Sequence, residues 1–379
     1  MLKVGIIGIG NAGNQVAALG LATKDIPALA INASEKDLDT LNIKMDAIIF
    51  GDSSGSGKDR SIAKGFVKEN IKELIKDEAF KRFMDQTDIV FVVNSTGGGT
   101  GSGMGPILTD ILRNYFRKDE NKIFVNVGIL PTLGESVGAQ RNTLQYLKEM
   151  SDLGGSYMLF DNEKRAYLPT NKQMDEVNKE IVTMISAVRG DFSHSSPYGM
   201  IDDKDMRKII SVPGLIFMDV LTGIYEDSIG ADETLDSVLL DHSVKATCMD
   251  CSEKDDHTVK RMGFIAYLTK GLNSKFNENL PNIRNFYGEP IEDFKHFAQN
   301  EESDKLNVLV LLLSGLSVPD KRIKVIINRI ERVEEELNKT QTSSVLNSAL
   351  DKLSAYDGTK DTNNDSDDEF DMDSILDKY

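Results

Sequence analysis

The stretch "NSTGGGTGSG", residues 94–103, restricts this chain more than any other feature of its sequence. It follows the apolar run "DIVFVV" and precedes "MGPILTDILRNYFRK", whose apolar residues recur at helical spacing. A strand, a glycine-dense turn and a helix start together make an anion site. Glycine lets the backbone approach a ligand closely, while free N–H groups and the helix dipole point at negative charge. Gly97, Gly98, Gly99, Gly101 and Gly103 supply that freedom, and Thr100 and Ser102 add hydroxyl donors. The stretch predicts a phosphate cradle; a flexible solvated linker is the bland alternative, and its tight placement between a buried strand and an amphipathic helix argues against it.

The surroundings of the loop indicate an α/β fold. Short apolar runs alternate with amphipathic stretches to about residue 170: "LKVGIIGI" then "NQVAALGLATK", "ALAIN", "DAIIFG", "DIVFVVN", "KIFVNVGIL" and "YMLFDN". That alternation predicts a mostly parallel sheet with helices on both faces. Next, "NKQMDEVNKEIVTMISAV" places Met174, Val177, Ile181, Met184, Ile185 and Val188 on one helical face, with no breaker before Gly190. Further strand candidates, "GLIFMDVL", "KRMGFIAYLT" and "NVLVLLLSGLS", predict a smaller α/β region from 200 to 318. Pro319 then opens a long helix in "DKRIKVIINRIERVEEELNK", Pro being tolerated at a helix start.

Two other loops at strand ends are glycine-rich. "GIGNAGNQ" holds Gly8-x-Gly10-x-x-Gly13, which alone is a weak dinucleotide signal. "GDSSGSGKDR" fails as a P-loop, because Gly51 lies one residue too far from Gly57-Lys58 and Asp59 stands where Ser or Thr would hold magnesium. Three phosphate-friendly loops on the carboxyl edge of one sheet can surround one triphosphate.

Composition narrows the partners. With 61 acidic and 44 basic residues the chain carries a net charge of −17 and shows no basic patch, so direct contact with nucleic acid or an anionic membrane is not expected. The N-terminus does not read as a signal peptide and the longest apolar stretch is too short to span a bilayer, so a cytoplasmic location with two reduced cysteines is expected. Residues 353–379, with nine Asp or Glu against two Lys, read as a disordered acidic tail.

"GGGTGSG" at 97–103 resembles the signature loop of the tubulin and FtsZ superfamily, after the strand already inferred. "GNAGNQ" at 10–15 is similar to tubulin's first glycine turn, with Asn11 and Ala12 as departures. The resemblance implies a tubulin/FtsZ-like fold: a Rossmann-like parallel-sheet GTP-binding domain (1–170), a central helix and loop (171–199), a C-terminal activation domain (200–318) and a C-terminal helix (319–352) ahead of the tail. It implies GTP and GDP as ligands, with Mg2+ held mainly by phosphates and water. Gly10, Asn11, Ala12, Asn14, Gly97, Gly98, Gly99, Thr100, Gly101 and Ser102 would surround the nucleotide. Gly55, Ser56 and Gly57 would sense the γ-phosphate, and Asn162 and Asn178 would read guanine, each amide offering a donor and an acceptor. Arg141, beyond "PTLGESVGAQ", would reach phosphate or ribose, with Glu135 nearby, although this loop departs from FtsZ in spacing, and Lys179 stands where FtsZ has Asp.

The family's hydrolytic residues lie on a loop after the central helix and act on the nucleotide of a neighbouring subunit. "MIDDKDMRK" puts Asp202 and Asp205 in that frame, ahead of Arg207, with Met200 in place of the family Asn. Carboxylates suit the task because they can orient water toward the γ-phosphate. On the residues alone, a solvated acidic turn is the better reading of Asp202, Asp203 and Asp205. The long terminal helix makes the chain look most like the plasmid and phage TubZ group, whose GTP-driven filaments move DNA through a separate adaptor. An FtsZ-like division GTPase is the alternative. Outside the family, a nicotinamide oxidoreductase would use Gly8, Gly10, Gly13 and an acid near Glu35 but leaves the signature loop without a role. His242, Cys248, Cys251 and His257 suggest a zinc site at a spacing that is not a standard finger, against the plainer reading of two ordinary thiols, and no metal ligand is assigned.

Overall fold

The computed structural model describes residues 2–41, 43–197, 199–249, 259–276, 279–301 and 306–342. The chain divides into two compact units, 1–330 and 331–379. In chain order the first runs β1 (Val4–Ile9), α1 (Gly10–Lys24), β2 (Ala28–Asn32), α2 (Glu35–Asp39), β3 (Asp46–Ile49), α3 (Arg60–Lys76), α4 (Glu78–Gln86), β4 (Ile89–Ser95), α5 (Gly99–Tyr115), β5 (Ile123–Leu130), α6 (Val137–Leu153) and β6 (Ser156–Asp161). A 3₁₀ turn, Asn162–Arg165, leads to α7 (Thr170–Arg189), α8 (Asp203–Ile210), β7 (Gly214–Thr222), α9 (Leu235–Ser243) and β8 (Arg261–Leu268). The remaining elements are α10 (Lys270–Asn273), α11 (Pro281–Tyr287), β9 (Glu292–Gln299), β10 (Val308–Leu316) and α12 (Asp320–Thr342), whose residues from 331 on belong to the second unit.

The ten strands form one sheet in the order β3-β2-β1-β4-β5-β6-β7-β10-β8-β9. Neighbours from β3 to β7 are parallel, as the βαβ alternation predicts, while β10 runs antiparallel between β7 and β8. The later strands continue the same sheet, across a narrow join in which only Ser156 and Tyr157 of β6 pair with Gly214 and Leu215 of β7. Both faces of the parallel half are covered, which is why β4 is apolar from Ile89 to Val93. Alternation along the strands sorts the core: Val4, Ile6 and Phe91 pack with Val16, Val177 and Ile181 on one face, and Ile7, Val90 and Val92 with Val67, Met104 and Leu108 on the other. Each such side chain contributes about 1.5–3 kcal/mol on burial.

The central helix α7 stops where its sequence says it must, at Gly190, which takes a left-handed φ of 100° as C-cap. Val177, Ile181, Met184, Ile185 and Val188 are buried as expected, but Met174 is 44% exposed and belongs to a pocket described below. Helix α12 begins after Pro319 and is described to Thr342; residues 343–352 of the expected helix and the tail at 353–379 lie outside the described residues.

Near its start, α12 places Arg322 in a buried ion pair with Asp161, Nε to Oδ2 at 2.7 Å, and Arg322 also donates to the Pro131 carbonyl. Burial pushes the Asp161 carboxyl above its ordinary value, against the downward pull of Arg322. Removing the cation by Arg322→Met strands that carboxylate, so the expected loss on urea unfolding is about 3–5 kcal/mol at neutral pH. The raised folded-state pKa fixes the sign: protonated Asp161 needs no counter-ion, so the loss shrinks as pH falls through that value. A loss that is small or independent of pH would show that the pair does not anchor the helix.

Candidate functional site

The strand order reverses direction between β1 and β4, and in open α/β sheets a ligand crevice forms outside the carboxyl ends at that point. The three glycine loops meet there. α1 starts at Gly10, directly after β1, and α5 starts at Gly99, with three residues between it and the end of β4. Neither helix has a side-chain N-cap, whereas α2, α3, α4 and α6 are capped by Ser34, Asp59, Asp77 and Ser136. The first-turn N–H groups of α1 and α5 are therefore left for an anion. Gly10 permits the two ends to converge: its φ is +67°, and a Cβ on it would stand 3.3 Å from the Gly101 nitrogen. Asp59, which spoils the P-loop pattern, is instead the cap of α3.

Between these elements lies a cavity of about 360 Å³, within the range of small-molecule sites. Asn11, Ala12 and Gln15 of α1, with Ser95, Gly97 and Gly98 after β4, form one side. Pro131, Glu135, Ser136 and Ala139 form the lip before and along α6, and Asn162, Met174 and Asn178 close the far end. Seven residues singled out in the sequence thus come together here: Asn11, Ala12, Gly97, Gly98, Glu135, Asn162 and Asn178. Asn162 is held at its backbone by Gln173, whose amide donates to the Asn162 carbonyl at 2.7 Å. Glu135 is the acid in the lining; burial pushes its carboxyl up, opposed by the Thr132 N–H and by the charge of Lys58.

Other residues singled out in the sequence lie behind the lining, for reasons set by the helix starts. Because α1 begins at Gly10, Asn11 and Gln15 share its outer face while Asn14 turns fully into the interior. Because α5 begins at Gly99, Ser102 also points inward, accepting from Arg60 Nε at 3.1 Å and donating to the Gly98 carbonyl, so its hydroxyl is not offered to the cavity. Thr100 and Ser56 share a hydrogen bond of 3.0 Å between their hydroxyls. Gly99 and Gly101 serve close packing, a Cβ on Gly99 falling 2.4 Å from Ser56 Oγ and one on Gly101 falling 3.0 Å from the Ser95 backbone. Gly57 lines an adjoining groove, while Gly55 is outside both and takes a φ of +89° that glycine permits. Arg141 is exposed on α6 and is not part of the lining.

Gln15, Lys58, Ser95, Ser136 and Met174 line the cavity and were not singled out as site residues from sequence. Helical spacing from Asn11 points to Gln15, and spacing from Asn178 points to Met174; a large exposed apolar side chain beside two amides suits the face of a planar base.

Asp202 and Asp205 lie at the other edge of the sheet. Asp202 caps α8, accepting from the Lys204 and Asp205 N–H groups, and Asp205 closes a capping box onto the Asp202 N–H at 3.4 Å. Arg207 fixes the helix there by bonding Asp88 at 2.9 Å and the Asn121 carbonyl at 2.6 Å, just ahead of β4 and β5. The seven residues of β4 then separate this edge from the glycine loops by roughly 20 Å. At the suggested zinc position, His242 Nδ1 is held 2.8 Å from Asp219, Cys248 is buried, and Cys251 and His257 lie outside the described residues. Among the described residues no group of three or more His, Cys, Asp or Glu could hold a metal ion, and no helix is long and apolar enough to cross a membrane.

Residues 3–167 match the family model described as Tubulin/FtsZ family, GTPase domain. Tubulin-like protein TubZ of Clostridium botulinum C phage is 29% identical over 219 residues, 55% of this chain and 57% of that protein. The chain thus aligns with little more than half the length of that relative. Cell division protein FtsZ 1 of Pyrococcus horikoshii is 23% identical over 290 residues, 72% of this chain and 74% of its own. Among solved structures, a GTPγS-form protofilament of Bacillus thuringiensis serovar israelensis TubZ superposes with a TM-score of 0.70 at 19% identity, covering 90% of this chain and 93% of that one. Residues 3–167 are thus similar to the GTPase domain of the Tubulin/FtsZ family, and the chain has a tubulin/FtsZ-like fold.

Proposed function

We propose that this protein is a polymerising GTPase whose hydrolytic site is completed between adjacent copies, and that its filaments position plasmid or phage DNA through a separate adaptor. The observation that carries the reading is the placement of the two halves of the site. The cavity opens at the carboxyl edge of the parallel strands, and Asp202 and Asp205 stand at the amino edge. No side chain bridges such a distance, so the carboxylates meet a nucleotide only on another copy stacked head to tail. The TubZ relative whose structure is a protofilament supports such stacking.

In the proposed site the uncapped starts of α1 and α5 hold the phosphates, and Asn162 and Asn178 read the base, with Met174 against its face. Magnesium, which would neutralise phosphate charge, would be held mainly by phosphates and water, since among the described residues Glu135 is the only acid in the lining. Asp202 and Asp205 of the next copy would orient the attacking water. Residues 1–170, 171–199, 200–318 and 319–352 are the proposed nucleotide-binding, connecting, activating and C-terminal helical parts. The net charge of −17 fits a cytoplasmic filament that reaches DNA indirectly. A cell-division role is the second reading, favoured by the longer alignment to FtsZ 1. The dinucleotide reading loses its ribose contact, because Glu35 does not line the cavity.

Electron microscopy and sedimentation of the purified chain with GTP, a slowly hydrolysed analogue and GDP test the proposal. Filaments are expected with the first two and not with GDP, with phosphate release beginning at the protein concentration where polymer appears. Nucleotide binding without any polymer would defeat the filament reading, and filament geometry would separate the two biological roles.

A further inference from the structure

Two of the chain's four histidines meet where the connection from α7 to α8 reaches the edge strand β9. β9 is the last strand in the sheet order, and its first two residues, Glu292 and Asp293, are exposed. His296, in the same strand, is fully buried. Its Nε2 lies 2.6 Å from the His194 carbonyl, which can only accept, so Nε2 carries the ring hydrogen and Nδ1 is bare. Nδ1 is buried and meets no hydrogen-bond partner among the described residues. An apolar side chain would fill this place without an unmatched nitrogen. What the imidazole adds is a hold on the loop.

Three points of that hold fall on consecutive residues of β9. Besides the His296 bond, the Ser196 hydroxyl donates to the Phe297 carbonyl, and Gly199, at a φ of +120°, passes so close to the Lys295 carbonyl that a Cβ would stand 3.3 Å from it. On the neighbouring strand β8, Tyr267 stacks on the His194 ring, with centroids 3.6 Å apart and planes 17° from parallel. Buried Ile201 then packs on β8 beside Gly263, where a Cβ would lie 3.7 Å from its Cδ1. Asp202 is the next residue and caps α8. The carboxylates are thus held from two sides, by Arg207 on Asp88 and by this clasp on β8 and β9.

We infer that His296 is a positioning residue for GTP hydrolysis, fixing through the clasp the place from which Asp202 and Asp205 reach the nucleotide of the adjacent copy. The inference rests on the proposed shared site. His296 acts through the loop alone, and a displacement of about 1 Å in a group that orients a reactant costs on the order of 100-fold in rate. A side chain remote from the reaction can therefore govern it. Nucleotide affinity has no such dependence, because β7, β10 and β8 stand between β9 and β6, the nearest strand that borders the cavity.

The test uses the full chain as His296→Leu, His296→Gln and Ser196→Ala, with GTP affinity titrated below the assembly concentration and phosphate release per sedimented subunit measured above it. His296→Leu is expected to lower turnover by about tenfold or more, while GTP affinity and the amount of polymer stay within about twofold. His296→Gln should recover most of the loss, since its amide nitrogen donates from near the Nε2 position. Ser196→Ala removes one hydroxyl from a partly exposed loop residue, so it keeps the test open if His296→Leu does not fold. Its turnover should fall about threefold, the scale of one neutral hydrogen bond. Adding His296→Leu to Asp205→Asn should cost little beyond Asp205→Asn alone, whereas independent defects multiply. Normal turnover in Ser196→Ala and in whichever His296 variant folds overturns the inference, as does a joint loss of turnover, affinity and polymer, or a loss that multiplies with Asp205→Asn. Normal turnover in Asp202→Asn and Asp205→Asn instead overturns the shared site, and the inference with it.

Discussion

Gly98→Val is expected to lower GTP and GDP affinity 100-fold or more, equivalent to about 2.7 kcal/mol, without unfolding the protein. Gly98 is the N-cap of α5 and lines the cavity, so a branched side chain there covers the first-turn N–H groups and occupies the space an anion needs. The backbone itself does not object. Its φ of −78° suits any residue, and the atom nearest a new Cβ is Ser95 Oγ at 2.9 Å, a hydroxyl able to rotate. Gly101→Val is the useful contrast, because its Cβ meets the Ser95 backbone, which cannot move aside. Thermal melting should therefore separate the two, with Gly98→Val near normal and Gly101→Val clearly lowered, while titration shows binding lost in both. Normal affinity in Gly98→Val would place the phosphates elsewhere.

The contrast marks how far the glycine loop could be read from sequence. That a cradle sits between strand and helix follows from local composition, and the strands of the parallel half were legible because burial on both faces leaves an unbroken apolar run such as Ile89 to Val93 of β4. Which glycine meets the ligand and which meets another loop depends on where the helix starts. With α5 beginning at Gly99, the residues after it rotate away from the cavity, and Ser102 turns to Arg60, a partner 42 residues earlier. Lys58 was hidden for the same reason: only tertiary approach brings its loop beside Gly97 and Gly99. Helix α6 was missed because its inward face carries Gln140 and Thr143 as well as Tyr146 and Leu147, which blurs the apolar period. Strand β9 was missed because an edge strand, here "EDFKHFAQ", is largely polar. Asn162 and Asn178 were legible only through family resemblance, since an amide in a turn or on a helix surface carries no signal of its own.

Asp202→Asn and Asp205→Asn are expected to cut GTP turnover 100-fold or more while leaving GTP affinity near normal, as losing a water-positioning carboxylate requires. The capping box dictates the choice of substitution. Alanine at Asp202 removes the cap of α8 and costs about 1 kcal/mol, confusing a structural loss with a catalytic one, whereas asparagine caps as well as aspartate and removes only the charge. In the unmodified protein, turnover per subunit should rise steeply above a threshold concentration, because a lone copy keeps its carboxylates at the wrong edge of its own sheet. Filaments of the asparagine variants should outlast normal ones, their interfacial GTP persisting. Mixing Asp205→Asn with Gly98→Val supplies the decisive arrangement. One variant retains a nucleotide pocket without the carboxylate, the other a carboxylate without the pocket, and a head-to-tail contact between them rebuilds one complete site. Phosphate release from the mixture should therefore exceed that of either variant alone at the same total concentration. If the mixture stays as inactive as its components, and if normal turnover per subunit is the same at every concentration, the site is not shared between copies, and Asp202 and Asp205 serve α8 alone.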